Sequence, residues 1–298
     1  MKWHIPAKTF LVGEYAAVAG GSAIVLTTAP CFELAIAHDS LMHGIHPESP
    51  AGQWWIHHCI PMQGLHWRDP YEGKGGLGAS SAQFIGAYFA SCHLLHIKPN
   101  LEALLDAYYQ FAWKGEGLRP SGYDVLAQVQ NRCVYINRQN DSMETYDWVF
   151  EDVAFLLLHS GQKLATHYHL QQMTLPASIN ELSAITEHAK RAFEQANSHA
   201  LVEAINNYQQ TLINCNLVAP HSLQHIQIFR RQEDVLAVKG CGALGADVLL
   251  LIVPKRVLKP KVSSLIAEGW TILAGSDDLY TGRALMKNKR QKTLEILP

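Results

Sequence analysis

Glycine is concentrated between residues 73 and 82, where the chain reads GKGGLGASSA. Glycine lets backbone amides approach an anion closely, and apolar residues at helical spacing over 80–95 predict that a helix follows directly. The positive N-terminal end of that helix would face the same anion. This segment, called the glycine loop below, therefore indicates a phosphate-binding site. The alternative is a flexible turn before a helix in which Ser80 or Ser81 is the N-cap.

Two common phosphate-binding loops can be compared with this segment. A P-loop needs Gly, four residues, and then Gly-Lys followed by Ser or Thr, and the sequence contains no such string. Gly73, Gly75 and Gly78 satisfy the GxGxxG spacing of dinucleotide-binding folds. However, residues 66–72 do not read as a buried strand, and no acidic residue stands about 20 positions after the glycines. Neither loop explains the glycines.

Three further segments belong to the same pattern as the glycine loop. They read IPAKTFLVGEY at 5–15, PSGYDV at 120–125 and KGCGALGAD at 239–247. Together with the glycine loop, these motifs resemble the GHMP kinases, the small-molecule kinases of galactose, homoserine, mevalonate and phosphomevalonate. Four motifs in this order are far more specific than any one of them, so we expect the GHMP kinase fold and its mevalonate kinase and phosphomevalonate kinase branch.

The motifs depart from the usual family pattern at several positions. Ala7 stands where the first motif usually has glycine, and Ala79 takes the first serine position of the second motif, which leaves Ser80 as the match to the second serine. The third motif has other residues at positions that are usually small or glycine, namely Cys241, Leu244 and Ala246. A weakened third motif would allow a loop that supports the phosphates without contacting them.

The resemblance implies two cofactors, ATP and Mg²⁺, and a catalytic pair. Asp124 would accept the proton of the acceptor hydroxyl, and Lys8 would stabilise the alkoxide that forms. A carboxylate is a weak base for an alcohol, so position must count for more than basicity. The alternatives are an edge-strand lysine for Lys8 and a Ser121-x-x-Asp124 capping box at a helix start. The ATP phosphates would be held by the glycine loop and the residues after it: Gly75, Gly76, Leu77, Gly78, Ala79, Ser80 and Ser81.

The remaining implied residues serve the metal ion and the acceptor. Ser80 and Glu116 are the implied Mg²⁺ ligands, since hydroxyl and carboxylate oxygens suit this ion. Glu116 lies only eight residues before Asp124, which is a shorter interval than the resemblance leads one to expect, and an ordinary loop glutamate is the alternative. The cations near the motifs suit an acceptor with an anionic end. The residues assigned to the acceptor are Lys114, Arg119 and Gly242.

Small differences between the family branches point to an acceptor. The run GEY at 13–15, Val125 after the motif aspartate and Asp247 at the end of the third motif look more like phosphomevalonate kinases. The short chain and Pro120 look more like mevalonate kinases. We therefore predict transfer of the ATP γ-phosphoryl group to phosphomevalonate, with mevalonate as the alternative acceptor. A diphosphomevalonate-decarboxylase-like enzyme and a non-catalytic ligand-binding relative are further alternatives.

Periodicity places the motifs in two successive units of an α+β protein. Residues 1–150 read as a β-rich α/β domain, and residues 151–298 read as a strand, helices, two strands, a helix and a strand, an α+β order. The resemblance implies a ferredoxin-like fold for the second domain, which would close a cleft over the first. The predicted strands are 3–12, 22–28, 32–37, 54–58, 133–137, 153–159, 235–238, 247–253 and 270–274. The predicted helices are 80–95, 101–113, 120–129, 178–196, 199–217, 221–232 and 260–268.

The composition of the 298-residue chain is that of a folded protein without a broad basic field. Hydrophobic residues make up 48%, and 24 Lys plus Arg against 26 Asp plus Glu give a formal net charge of -2, which disfavours a nucleic-acid partner.

The uncharged run 15–32 contains glycines, threonines and a proline, which suit strands and turns better than a membrane span. Six cysteines without a CxxC pair predict reduced thiols and a cytoplasmic protein. We expect a small-molecule partner, no membrane association, and a monomer or homodimer.

Overall fold

The computed structural model describes residues 1–58, 62–161, 175 and 178–286, and these residues form two β-sheets with helices packed against them. The mixture of helices with antiparallel and mixed sheets confirms the predicted α+β class. One sheet belongs to the first half of the chain and the other to the second half. Some parts of the predictions lie outside the described residues: the reduced thiol of Cys59, and the stretches 59–61, 162–174, 176–177 and 287–298 of the two predicted domains.

The first sheet is organised by one long strand that reaches all the way across it. Strand β1 pairs antiparallel with β2 along most of its length, and on its other side β2 pairs with β5 through residues 23–26 and with β4 through residues 33–37. The separate strands predicted at 22–28 and 32–37 are therefore one continuous strand. The strands of this sheet are β1 (Lys2–Val12), β2 (Ala23–Ala37), β3 (Met42–His43), β4 (Gly64–Arg68), β5 (Cys133–Asn137) and β6 (Ser142–Tyr146).

Five helices accompany this sheet in the first half of the chain: α1 (Glu14–Val18), α2 (Pro50–His57), α3 (Ala79–Leu94), α4 (Leu101–Ala112) and α5 (Tyr123–Gln128). Helix α3 packs on β1 and β2 and is buried along most of its length. Helix α4 begins as predicted, because the Asn100 side chain caps it by accepting a hydrogen bond from the Ala103 amide at 3.0 Å. Helix α5 begins three residues later than the predicted start at 120.

The prediction of a strand at 54–58 is wrong, because most of this stretch forms the end of α2. Ser49 is the N-cap of the helix, and its hydroxyl accepts a hydrogen bond from the Gly52 amide at 3.1 Å. Pro50 occupies the first turn, where a missing N–H is harmless. A short apolar run does not separate a buried strand from a helix, and here the capping residues decide the outcome.

The second sheet has the predicted ferredoxin-like arrangement. Its four strands lie in the order β10-β7-β9-β8, and all neighbouring strands are antiparallel. Numbered along the chain from β7, the strands are arranged 4-1-3-2 across the sheet. The strand predicted at 235–238 lies slightly further along the chain, at Ala237–Cys241. The strands are β7 (Val153–His159), β8 (Ala237–Cys241), β9 (Val248–Pro254) and β10 (Ile272–Gly275). The helices are α6 (Ile179–Glu194), α7 (Ser198–Asn214), α8 (Pro220–Arg230) and α9 (Leu258–Ala267).

A buried polar network joins helix α6 to the first sheet. The Ser22 amide donates a hydrogen bond to Ser183 Oγ at 3.0 Å, and the Tyr135 hydroxyl donates to Glu187 Oε1 at 2.6 Å. The Asn137 side-chain amide donates to Ser22 Oγ at 2.9 Å. Satisfied polar groups in a low-dielectric contact fix the register of the two halves more strongly than apolar packing alone.

After β10 the chain returns to the first sheet. The Tyr280 amide donates to the Thr27 carbonyl at 2.8 Å, and its own carbonyl accepts from the Arg132 amide at 2.8 Å. The two sheets fall on either side of the predicted boundary near residue 150, and the domain limits themselves stay a prediction. Across the described ranges, no helix is both long and apolar enough to cross a lipid bilayer.

Candidate functional site

Lys8 and Asp124, predicted as a pair from distant segments, lie in direct contact. The Lys8 Nζ is 3.0 Å from Asp124 Oδ1. Lys8 lies on buried strand β1 and is 8% exposed, whereas the Asp124 side chain, in the first turn of α5, is 33% exposed. The Lys8 Nζ also lies 4.8 Å from the centroid of the Phe10 ring. The Lys8 ammonium is therefore largely enclosed by protein, while the Asp124 carboxylate remains open to a ligand.

The capping-box interpretation of Asp124 does not describe the start of α5. The N-cap is Gly122, whose backbone has a φ of 75° that favours glycine. The Ser121 hydroxyl accepts a hydrogen bond from the Tyr123 amide at 3.2 Å. The Asp124 carboxylate is paired with Lys8 instead, so the geometry supports the functional interpretation, and the catalytic role itself stays a prediction.

The glycine loop is attached directly to the strand that carries Lys8. The Lys8 amide donates a hydrogen bond to the Leu77 carbonyl at 3.0 Å. Gly78, with a φ of +79°, is the N-cap of α3, and a Cβ at this position would lie only 2.8 Å from Lys8 Cγ. The alternative with Ser80 or Ser81 as N-cap is therefore wrong. Glycine is needed at 78 both for its backbone conformation and because the lysine side chain lies against it.

The first turn of α3 presents backbone donors beside this pair. Its first helical hydrogen bond runs from the Ala82 amide to the Gly78 carbonyl at 2.9 Å, so the amides of residues 79–81 have no acceptor within the helix. Ser80 is exposed at this end, whereas the Leu77 side chain is buried and offers only its backbone. Such a helix end attracts phosphate groups.

Gln128 is a buried site residue that the sequence analysis did not identify. Its Nε2 donates hydrogen bonds to the Pro6 carbonyl at 2.8 Å and to the Gly78 carbonyl at 3.1 Å. Its Oε1 accepts from the Ser81 hydroxyl at 2.6 Å, so Ser81 faces the interior. The only signal in the sequence is its position four residues after Asp124, which puts both side chains on one face of a helix.

The third motif packs on the glycine loop from the second half of the molecule. A Cβ on Gly76 would lie 2.6 Å from both Asp247 Cβ and Val248 Cγ2, so these side chains can pack on the glycine loop only because residue 76 is glycine. Gly242, with a φ of +92°, lies against the Asp247 carboxylate. The Leu244 amide donates to the Tyr15 hydroxyl at 3.2 Å. The observed contacts of Gly242 are thus with its own motif, and its predicted contact with the acceptor stays a prediction.

A second ammonium–carboxylate pair lies deeper, between the two sheets. Lys239 on β8 is fully buried, and its Nζ forms an ion pair with Glu14 Oε1 at the start of α1. Burial opposes the positive charge, but the neighbouring acidic groups of Cys241 and Glu14 outweigh this effect and raise the Lys239 pKa. Burial raises the pKa of the Cys241 thiol to about 11, so the thiol is neutral near pH 7 and the ion pair of Lys239 is the one with Glu14.

The loop between α4 and α5 carries the other three predicted residues, Lys114, Glu116 and Arg119, and all three are exposed. The Glu116 carbonyl accepts a hydrogen bond from the Trp113 indole at 3.0 Å. The Arg119 guanidinium carbon lies 4.3 Å from the centroid of the Tyr109 ring, and the Tyr109 hydroxyl donates to the Ser121 carbonyl at 2.8 Å. The structure thus packs Arg119 on Tyr109 of α4, five residues before Asp124 in the chain, and shows no comparable side-chain contact for Lys114 or Glu116.

The residues present fit the phosphates of ATP better than a metal site made of protein alone. Positive-φ glycines, the N-terminus of α3, the exposed Ser80 and the Lys8 ammonium all suit phosphate oxygens. Among the described residues, no group of three or more His, Cys, Asp or Glu side chains could hold a metal ion. Mg²⁺ commonly binds through one or two protein ligands plus substrate phosphates. The Ser80 hydroxyl can supply such a protein ligand.

Comparison with known proteins finds similarity of structure. No family model matches the chain, and no curated protein sequence matches it. The phosphomevalonate kinase of Streptococcus pneumoniae, solved with phosphomevalonate and AMPPNP, is 15% identical with a TM-score of 0.75, covering 92% of this chain and 99% of that one. The mevalonate kinase of Methanococcus jannaschii is also 15% identical, with a TM-score of 0.72 and coverage of 95% and 98%.

The similarity extends to another kinase of small molecules. The galactokinase of Lactococcus lactis, solved with galactose, is 10% identical with a TM-score of 0.69, covering 91% of this chain and 92% of that one. At these identities the similarity concerns the fold. The chain therefore has the fold of the GHMP kinases over most of its length, as the order of its motifs predicted.

Proposed function

We propose that this protein is a GHMP-type kinase that uses Mg²⁺-ATP to phosphorylate phosphomevalonate, a small-molecule acceptor with an anionic end. The observation that carries the proposal is the contact of Lys8 Nζ with Asp124 Oδ1 at 3.0 Å, beside a glycine loop that is hydrogen-bonded to the Lys8 backbone. An ammonium, an accessible carboxylate and a phosphate-binding helix end in one place are the parts that phosphoryl transfer requires.

The glycine loop and the first turn of α3 would hold the nucleotide. The donors are the backbone amides of Gly76, Gly78, Ala79 and Ser80, and the Ser80 hydroxyl would bind Mg²⁺. When bound, Mg²⁺-ATP supplies the phosphoryl group and neutralises part of its charge. Ser81 faces Gln128 and would support the loop from inside rather than contact the nucleotide.

Lys8 and Asp124 would act on the acceptor side of the transfer. The Lys8 ammonium stabilises negative charge on the attacking oxygen, and the ion pair with Asp124 keeps Nζ in one position. With a hydroxyl acceptor, Asp124 also accepts the proton that leaves the attacking oxygen. A phosphate acceptor is already ionised near neutral pH, so Asp124 would then act mainly by orienting Lys8.

The acceptor is the finer part of the proposal. Phosphomevalonate is favoured by the sequence signs at 13–15, Val125 and Asp247, and the exposed Arg119, in the loop before α5, is a cation that could meet its anionic end. Mevalonate is the alternative, and the similar TM-scores of 0.75 and 0.72 to the two kinds of kinase favour neither. The two acceptors differ in whether a proton must be removed, which the Asp124 variant can detect.

An ADP-release assay tests the proposal. Mg²⁺-ATP is supplied with mevalonate, phosphomevalonate, homoserine or galactose, with simultaneous detection of CO₂, for the wild type and for Asp124→Asn. We expect turnover of phosphomevalonate without CO₂ and loss of most of kcat in the variant, which should still bind nucleotide. Turnover of mevalonate instead would reassign the acceptor. ADP release with CO₂ would indicate decarboxylation, and nucleotide binding without turnover of any acceptor would indicate a non-catalytic relative.

A further inference from the structure

Gln128 connects three parts of the candidate site with a single side chain. Its amide nitrogen lies 2.8 Å from the Pro6 carbonyl oxygen and 3.1 Å from the Gly78 carbonyl oxygen, and its amide oxygen lies 2.6 Å from Ser81 Oγ. The residue is fully buried. We infer that Gln128 is a positioning residue that fixes the glycine loop relative to Lys8 and Asp124, an inference that rests on the proposed kinase function.

The position of Pro6 explains why a backbone carbonyl of β1 can bind the Gln128 side chain. Proline has no N–H and interrupts a β-ladder. Pro6 falls at an irregularity of the β1–β2 pairing, between the pairs Ile5–Phe32 and Ala7–Thr28. The Pro6 carbonyl is paired with Gln128 at this irregularity, so the amide anchors the strand two residues before Lys8.

The contact with Gly78 fixes the other side of the site. The Gly78 carbonyl also accepts the first hydrogen bond of α3, from the Ala82 amide at 2.9 Å. A Cβ on Gly78 would lie 3.0 Å from Gln128 Nε2, so the side chain fills the space that the glycine leaves. Gln128 therefore sets the position of the helix end whose amides are proposed to hold phosphates.

Helix α5 makes this anchor part of the catalytic geometry. Asp124 and Gln128 are four residues apart on α5 and share one face of the helix. Asp124 binds Lys8 Nζ, while Gln128 binds the carbonyls before Lys8 and before α3. A small displacement of reacting groups can lower a rate by about 10²-fold, so an anchor shared by the nucleotide side and the acceptor side should matter most for kcat.

The chain provides a matched control for the test. Gln130 lies two residues away and is 1% exposed, and its amide donates to the Met286 carbonyl at 3.2 Å, in the returning segment after β10. Gln128→Met and Gln130→Met each remove one buried amide with a similar volume change. We expect kcat of Gln128→Met to fall by about 10–100-fold with a smaller change in the ATP dissociation constant, and kcat of Gln130→Met to stay within about threefold.

Hydrogen exchange gives a readout that does not depend on the identity of the acceptor. Removing the Gln128 amide should speed exchange at the amides of Lys8 and Ala82, whereas Gln130→Met should leave both unchanged. Equal kcat in the two variants, or unchanged exchange in Gln128→Met, would overturn the inference. A wild type that turns over no acceptor would instead contradict the proposed function, while the exchange experiment would still report on the anchor.

If Gln128→Met does not fold, Ser81→Ala replaces it, because this change removes only a hydroxyl, which lies 2.6 Å from Gln128 Oε1 and 3.0 Å from the Gly78 carbonyl oxygen. We expect Ser81→Ala to lower kcat by about 3–10-fold, since the amide loses one of its three contacts but keeps the two carbonyls. An unchanged kcat in Ser81→Ala would then contradict the positioning role.

Discussion

The protein contains two ammonium–carboxylate pairs that join distant parts of the chain, and they differ in their access to solvent. In the pair of Lys8 and Asp124, the side chains are 10% and 33% exposed. In the pair of Lys239 and Glu14, they are 0% and 10% exposed. The first pair lies beside a helix end that suits phosphate, whereas the second joins β8 to α1 between the two sheets.

We infer from this difference that the same two functional groups can serve either the proposed reaction or the assembly of the fold, depending on whether a ligand can reach them. A carboxylate that keeps a third of its surface open can meet a substrate, and its ammonium partner can follow the charge on a reacting oxygen. A pair that is almost fully buried can interact with little besides itself, and the removal of one member leaves an uncompensated buried charge. Four predictions test this division of roles.

The largest expected effect is on catalysis in Asp124→Asn. Loss of the accessible carboxylate should lower kcat with phosphomevalonate by about 10²-fold, because the variant no longer holds Lys8 Nζ in position by charge. The free energy of unfolding should fall by only about 1 kcal/mol, since the pair is partly solvated. Steady-state kinetics and urea unfolding of the same preparation measure both. A variant that loses stability but keeps kcat would assign this pair to assembly.

The next effect is on stability in Lys239→Met. The Glu14 carboxylate would remain buried without its partner, which should lower the free energy of unfolding by about 3–5 kcal/mol. The double variant Lys239→Met/Glu14→Leu should regain most of this loss, because an apolar pair carries no desolvation penalty. Urea unfolding of the three proteins checks the cycle. If the double variant is no more stable than the single one, charge compensation is not what the pair contributes.

A smaller effect is expected on acceptor binding in Arg119→Met. The guanidinium on the Tyr109 ring would be lost, and the KM for phosphomevalonate should rise at least about tenfold while the KM for ATP changes little. Arg68→Met is the matched control, since Arg68 pairs with Glu33 on the surface of the first sheet. An equal rise in both KM values, or none in the acceptor KM, would remove Arg119 from the acceptor site.

The smallest effect is a change in pH dependence near the glycine loop. Burial and the positive charge of Lys74 lower the pKa of His159 below its ordinary value of 6.5. The unfolded chain therefore takes up this proton more readily, so the stability that His159 contributes is present above pH 6.5 and is lost as the pH falls through the lower folded pKa.

Lys74→Met should move the His159 pKa upward, toward its ordinary value, whereas Lys2→Met on the far edge of β1 should leave it unchanged. NMR titration of the imidazole measures the shift. An upward shift would show that the charge of the glycine loop reaches the sheet that carries the buried pair of Lys239 and Glu14. An unchanged His159 pKa in Lys74→Met would show that it does not.

The sequence predicts the long, strongly patterned elements of the fold well. The strand at 153–159 has the predicted limits, and the four-strand order of the second sheet follows the predicted succession of elements. The short helix at 50–57 and the partly exposed strand at 142–146 were not predicted, because few residues contribute to their pattern and tertiary packing decides their state.

The candidate site also contains residues that the sequence predicts and residues that it does not. Motif order predicts that Lys8 and Asp124 approach each other, and the contact is present. Gln128 could not be identified, because a buried amide becomes significant only when packing brings backbone carbonyls from other segments to it. The pair of Glu14 and Lys239 spans 225 positions and carries no local pattern, so only the structure reveals it.

Phosphoryl transfer followed directly by ³¹P NMR tests the central claim, that the accessible pair serves catalysis. The wild type is mixed with Mg²⁺-ATP and phosphomevalonate, and Lys8→Met is examined under the same conditions. We expect the wild type to convert the acceptor phosphate signal to a diphosphate pair as ADP appears in equal amount, while the folded Lys8→Met variant forms neither at a comparable rate. Formation of inorganic phosphate in place of the diphosphate product, or equal conversion by both proteins, would contradict it.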